Sequence, residues 1–334
     1  MLTRRTMFIL ILASTLVFVA LAMGAAAQTP PPVSGDWVIS DATVYSNTNI
    51  DISGHITIRS GGSLTLTNVN IMIDFLTSTQ ITVEPGATLN IQGGSIDYVT
   101  DHPMKYPPRF LIDSPSTING TSISNTYGMT IRSWGVTVSN ITFTRPTYSL
   151  FGVNPLATSR ADLPIVIADN YAPNAASTAL YCTIVNFPGQ NARLIIVGND
   201  FSGVSNGDGI SVIADTEMGE FIVEDNTLDT IADDGIVLDL NVSDLKLRFD
   251  GNDVENVGGD GVRLLLQFDT IDFPGIDGLR SVNADQMCLR ITLMNDFMEN
   301  QTFSDLDLQD GGLGGLYFNG LLNASIIDSS IDCP

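Results

Sequence analysis

The stretch Ile56 to Ile71, ITIRSGGSLTLTNVNI, returns position for position 25 residues later as ITVEPGATLNIQGGSI, Ile81 to Ile96. Ile56/Ile81, Thr57/Thr82, Gly61/Gly86, Leu64/Leu89 and Ile71/Ile96 are identical pairs, and Ile58 and Leu66 meet Val83 and Ile91. A fixed period of this size marks a stacked architecture, in which each repeat buries its apolar face only against its neighbours. Inside the repeat, apolar and polar residues alternate, as in Ile56/Ile58 and Leu64/Leu66, which is the period of a strand with one buried face. Short strands separated by turns that recur at one interval predict coils lying one on another. Helical periodicity is sustained nowhere beyond the first residues.

A shorter signature carries the period down the chain. Two alternating apolar residues, a small or amide residue and a further apolar one recur at Leu64–Ile71, Leu89–Ile96, Val136–Phe143, Leu194–Phe201, Phe221–Leu228, Leu247–Val254 and Ala324–Ile331. The central residues, Asn68, Gly93, Asn140, Gly198, Asp225, Gly251 and Asp328, are predicted turn positions, because these types tolerate left-handed backbone or bond their own main chain. A second phase is sharper: GDGISV, DDGIVL and GDGVRL set Asp208, Asp234 and Asp260 at intervals of 26, each followed by a glycine and by Ile210, Ile236 or Val262. A late copy at Gly315, Leu316 and Phe318 keeps the glycine but has Gly314 in the aspartate slot.

These turns, with VGNDF, VEDNTL and FDGNDV at the matching offset, resemble the parallel β-helix repeats of the pectin-lyase-like superfamily. The stretch GDWVISDATVYSNTNIDISGHITIRSGGSLTLTNVNI is similar to the first coils of secreted archaeal and bacterial surface β-helix proteins. The resemblance implies an all-β, right-handed, three-sided solenoid from about Thr43 onward. On the order of ten coils at about 4.8 Å each would make a rod roughly 50 Å long. Loop insertions are expected near 101–109, 146–178 and 268–285, and Asp36 to Thr48 is expected to cap the first coil. The fold is shared by lyases, hydrolases, epimerases, adhesins and surface proteins, so it does not name an activity.

MLTRR followed by the apolar run Met7 to Met23 and the small residues Gly24 to Ala27 reads as a signal peptide cleaved after Ala27. The expected organisation is therefore signal 1–27, a Pro-rich linker 28–35 and a β-helix domain 36–334, secreted or on the cell surface. An uncleaved signal segment would be its membrane contact. The sequence stops in mid-coil at SSIDCP, which leaves two expectations: the natural chain continues past Pro334, or the last coil docks on a partner or another copy. Asn119, Asn140, Asn241, Asn300 and Asn323 head glycosylation sequons, in keeping with a secreted chain. Cys182, Cys288 and Cys333 are too few for a disulfide framework. One pair, preferably Cys288 with Cys333, is available in an oxidising compartment.

The chain has 37 acidic against 14 basic residues. Such a surface repels nucleic acid and anionic lipid and attracts cations. The excess sits in Gly198 to Asp310, where the bases are Lys246, Arg248, Arg263, Arg280 and Arg290.

Tests for chemistry eliminate more than they support. A Gly-x-Ser-x-Gly run at Gly203–Gly207 lacks a helix and a later histidine, since His55 and His102 both precede it. GGLGGLYF, from Gly311, resembles one calcium-binding nonapeptide, but a single copy with Leu316 in a carboxylate slot is not a site, and no zinc or haem cluster can be assembled. The aspartate column remains. Equal spacing stacks Asp208, Asp234 and Asp260 on one face, about 5 Å apart, with Asp233 alongside and Arg263 two positions past Gly261. Two readings stand. The column is repeated turn chemistry, or it binds Ca²⁺ with Arg263 as the base of a polysaccharide lyase. Trp134, Tyr127, Tyr148 and Phe151 could line a carbohydrate groove. The expected protein is a non-catalytic, adhesin-like or structural rod that binds carbohydrate, Ca²⁺ or other surface proteins. The alternative is a Ca²⁺-dependent lyase or glycoside hydrolase acting on acidic polysaccharide.

Overall fold

A computed structural model describes residues 29–74, 80–98, 109–146, 148–156, 163–185 and 191–333. The expected signal segment lies outside them, so its cleavage and any membrane contact it makes are not seen here. Every regular element among the described residues is a strand, and no helix there is long and apolar enough to cross a membrane.

The strands pair in parallel, each with the equivalent strand one coil on. The first face shows the rule: Trp37, Ile56, Ile81, Phe110, Met129, Phe151, Leu180, Ile210, Ile236, Val262, Leu289 and Leu316 stand in one register. A second face runs through Leu64, Leu89, Ser116, Val136 and later strands, and a third through Ile50, Ile71, Ile96, Ile123 and Phe143. Parallel strands need crossovers, and three turns per coil supply them without a helix. The result is a right-handed parallel β-helix, the expected fold class. Alternation places Ile56 and Ile58, Leu64 and Leu66, and Phe221 and Val223 inside, all buried, so one continuous core runs the length of the rod.

The turn positions behave as the residue types demand. Asn68, Gly93, Asn140, Gly198, Asp225, Gly251 and Asp328 all have φ between 47° and 72°, in the left-handed region. Beside this corner lies a feature the sequence reading passed over. Asn170, Asn199, Asn226 and Asn252 are buried one above another, each amide Nδ2 donating to the next Oδ1 at 2.9, 2.9 and 3.0 Å. The same oxygens accept the backbone N–H of the asparagine one coil earlier, and the amides also donate to the carbonyls of Val138, Ile167, Ile196 and Val223. A buried amide is costly unless its groups are matched, and stacking matches them.

Three boundaries differ from expectation. Trp37–Ile39 and Ala42–Ser46 pair with Ile56–Ile58 and Ser63–Thr67, so the expected cap is itself the first coil. Residues 146–178 contain Phe151–Val153, Ile165–Ala168 and Tyr171–Pro173, and 268–285 contain Thr270–Asp272, Gly275–Asp277 and Arg280–Ala284. The described strands of both segments stand in register with the neighbouring coils. Of 101–109 only Arg109, which opens a strand, is among the described residues.

Candidate functional site

The Asp-Gly turns precede the first-face strands and are shaped by the coil that stacks on them. A Cβ at Gly209 would lie 2.1 Å from the Leu228 side chain, and one at Gly235 would lie 2.5 Å from the Gly261 carbonyl oxygen. Glycine is required because the coils close on one another at this corner. The neighbouring carboxylates bond forward along the rod. Asp208 Oδ1 accepts the Asp234 N–H at 3.3 Å, Asp234 Oδ1 that of Asp260 at 2.7 Å, and Asp260 Oδ1 that of Met287 at 3.0 Å. Thr178 Oγ1 begins the same ladder by accepting the Asp208 N–H at 3.2 Å.

Arginines occupy the second oxygens of Asp234 and Asp260. Arg263 Nη2 is 3.0 Å from Asp234 Oδ2, and Arg290 Nε is 2.7 Å from Asp260 Oδ2. The structure thus brings Asp208, Asp234, Asp260 and Arg263 together, while Asp233 is exposed beside them. Burial pushes the Asp208 and Asp234 carboxyls above the usual carboxylate range; the Ser211 hydroxyl opposes this at Asp208, and the Asp260 N–H and Arg263 oppose it at Asp234. Among the described residues no three His, Cys, Asp or Glu side chains converge to hold a metal ion. A guanidinium held by a carboxylate remains a cation, and Arg263 is paired in this way with Asp234. The column does chiefly what its hydrogen bonds show: it satisfies the turn N–H groups of successive coils.

The same face changes character toward the middle of the rod. Tyr127 and Tyr148 stack with ring centroids 4.4 Å apart and planes 8° from parallel, and the Arg109 guanidinium lies 5.1 Å from the Tyr127 ring centroid. With Thr130, Ser149, Gly152, Ser177, Thr178 and Tyr181 they line a cleft of about 440 Å³. Its shape follows from the register. Thr130, Gly152 and Tyr181 are successive outward positions of the first face, and Gly152 places bare backbone between two side chains. Gly128, at φ 107°, forms one wall; a Cβ there would sit 2.0 Å from the Ser149 carbonyl oxygen. Tyr148 and Tyr181 are 46% and 43% exposed, so their rings are available to a ligand.

Of the aromatic residues expected at a groove, Tyr127 and Tyr148 are there. Trp134 and Phe151 are fully buried, Phe151 packing edge-on to Phe143 at 5.4 Å. Arg109, Tyr181 and the Arg290 partner of Asp260 were not singled out from sequence; only the in-out alternation of LYCTIV signals that Tyr181 points outward. The outward column continues from Tyr181 through Ser211, Val237 and Arg263 to Arg290 and Tyr317. Cleft and aspartate ladder therefore share one face.

No protein-family model matches the chain, and no curated protein matches it. Among solved structures it is similar to the periplasmic alginate epimerase AlgG, at 13% identity over 85% of this chain and 78% of that one, with a TM-score of 0.52. A mutant of the same enzyme aligns at 14% identity over 91% of this chain and 79% of that one, with a TM-score of 0.42. The first likeness shows the shared fold, the parallel β-helix.

Proposed function

We propose that the protein is an extracytoplasmic β-helix that holds an acidic polysaccharide in the cleft formed by Arg109, Tyr127, Tyr148 and Tyr181. The carrying observation is the stacked tyrosine pair beside a guanidinium and several hydroxyls, on a face where Arg263 and Arg290 are taken up in ion pairs further along. Aromatic rings offer a flat apolar surface with a polar tip, which suits the C–H face of a sugar. Arginine suits a carboxylate because its planar fork can donate two parallel hydrogen bonds. The sequence balance of charge agrees: residues 101–197 hold six Lys and Arg against four Asp and no Glu. The apolar segment after MLTRR supports an extracytoplasmic place, and the similar structure belongs to a periplasmic protein.

A second reading is an enzyme acting on uronate residues. It is favoured by the presence in one cleft of a cation for the sugar carboxylate and of tyrosine hydroxyls able to give or take a proton. The enzyme of similar fold is an alginate epimerase, which supports this class of substrate. Neither reading requires Ca²⁺, because all three ladder carboxylates have N–H partners and those of Asp234 and Asp260 have guanidinium partners as well.

Affinity electrophoresis through gels containing alginate, polygalacturonate or neutral dextran tests the binding. Retardation in the two acidic gels alone, reduced by Arg109→Ala and by Tyr148→Ala, is the expected result. Equal migration in all three gels would remove the proposal. Deuterium uptake next to the uronate carboxylate, followed by NMR in heavy water, separates an enzyme from a binder.

A further inference from the structure

We infer that Cys288 and Cys333 form a disulfide when the chain meets a disulfide oxidant, tying the strand Met287–Ser304 to the residue that follows Ser330–Asp332. The two sulfurs are 3.8 Å apart, although 45 residues separate them in sequence. Closing to the S–S bond length of about 2.05 Å takes roughly 1.8 Å of side-chain movement.

The site is built by the stacking. Register places Cys288 in the glycine slot of the Asp-Gly column, after Gly209, Gly235 and Gly261 and before Gly315. At Gly261 a Cβ would meet the Ser281 hydroxyl at 2.0 Å, so the earlier coil has no room for a side chain. Around Cys288 room has been made by two glycines. A Cβ at Gly311 would lie 3.0 Å from the Cys288 sulfur, and one at Gly315 would lie 2.9 Å from the Cys333 sulfur. The sulfurs are further located by the Gly311 N–H, 3.4 Å from Cys333 Sγ, and by the Gln309 carbonyl, which accepts from Cys288 Sγ at 3.3 Å. Cys182 is buried on another rung, between Val153 and Val212.

The chemistry balances with oxidised glutathione as the oxidant. Cys333, the more accessible thiol, attacks as its thiolate, cleaving the glutathione S–S bond and releasing one glutathione thiolate. Cys288, deprotonated, then attacks the Cys333 sulfur of the mixed disulfide, and the second glutathione leaves as its thiolate. The two protons lost from the cysteines protonate the two leaving thiolates, so two protein thiols are oxidised and one glutathione disulfide is reduced. Burial first, and the adjacent Cys333 second, pushes the Cys288 thiol up to about 12, so its attack quickens as pH rises.

The bond would act on an exposed rung. Ser330–Asp332 is exposed throughout, and Ile326, Ile327 and Ile331 are 44–48% exposed. Rungs with few buried contacts open locally before the rest of a solenoid.

The purified full chain is incubated with oxidised glutathione, then unfolded, alkylated and mapped by mass spectrometry. The expected result is a cross-linked Cys288–Cys333 peptide pair with Cys182 alkylated. Cys182→Ser keeps the cross-link, and Cys333→Ser leaves two alkylatable thiols. Amide hydrogen exchange over 314–333 slows several-fold on oxidation, while that over 56–73 is unchanged. Three alkylated cysteines, a persistent glutathione adduct on Cys333, or a link to Cys182 would each overturn the inference.

Discussion

The middle coils and the later coils have the same backbone and opposite surfaces. In both, the first-face strand follows a turn, and the side chains of Thr178, Asp208, Asp234 and Asp260 bond the next coil from it. In the middle coils the turn slot holds Ser149 and Thr178, and the outward slots hold Thr130, Gly152 and Tyr181, leaving the cleft. In the later coils the turn slot holds Asp208, Asp234 and Asp260, and Arg263 and Arg290 fold over them. Charge divides the same way: residues 101–197 have more bases than acids, whereas Gly198 to Asp310 carries most of the acidic excess. A solenoid can thus use one face for cohesion along one stretch and leave it open for a ligand along another.

The comparison is broken most severely at the ladders. Asn226→Leu removes the acceptor for the Asn199 N–H and amide and the donor to Asn252, leaving buried groups unmatched. It should cost ~3 kcal/mol or more of unfolding free energy in urea titrations followed by circular dichroism. Asp234→Ala strands the Asp260 N–H and Arg263, and should cost about 2 kcal/mol in the same assay. Tyr148→Ala, at a half-exposed ring, should leave the urea midpoint almost unchanged and weaken acidic-polysaccharide binding roughly tenfold.

The smallest effect concerns pH. Burial raises the native carboxyls of Asp208, Asp234, Asp250 and Glu224, so the folded chain holds their protons more tightly than the unfolded chain. Their contribution to stability therefore grows as pH falls from neutral through the raised native values, and levels off below the unfolded values of 3.8 for aspartate and 4.5 for glutamate. The urea midpoint should be modestly higher at mildly acidic pH than at neutral pH. Because Asp234 contributes, Asp234→Asn should flatten this trend. An unchanged slope in that variant would show that Asp234 is not among its sources.

The fold was legible because stacking writes itself as a period. Leu64 and Leu89 repeat because each buries the other, and Asn68 and Asn140 were readable as left-handed corners from residue type alone. The aspartate column was legible as a position and ambiguous as chemistry. The sequence gives the spacing of Asp208, Asp234 and Asp260 but not the partners of their oxygens, which come from the next coil and from Arg290. The buried asparagine ladder was hidden because Asn199 follows a turn glycine and reads as part of the turn. The cleft was the least legible feature. Arg109, Tyr127, Tyr148 and Tyr181 come from successive coils of unequal length and share no interval. Trp134 and Phe151, equally aromatic, face the core.

The most direct measurement is isothermal titration of alginate into the wild-type chain, Arg109→Ala and Asp234→Asn side by side. Binding lost in Arg109→Ala and kept in Asp234→Asn, where the side-chain oxygen still caps the next turn, is the predicted result. Binding kept in Arg109→Ala and lost in Asp234→Asn would contradict the account and move the ligand site to the aspartate ladder.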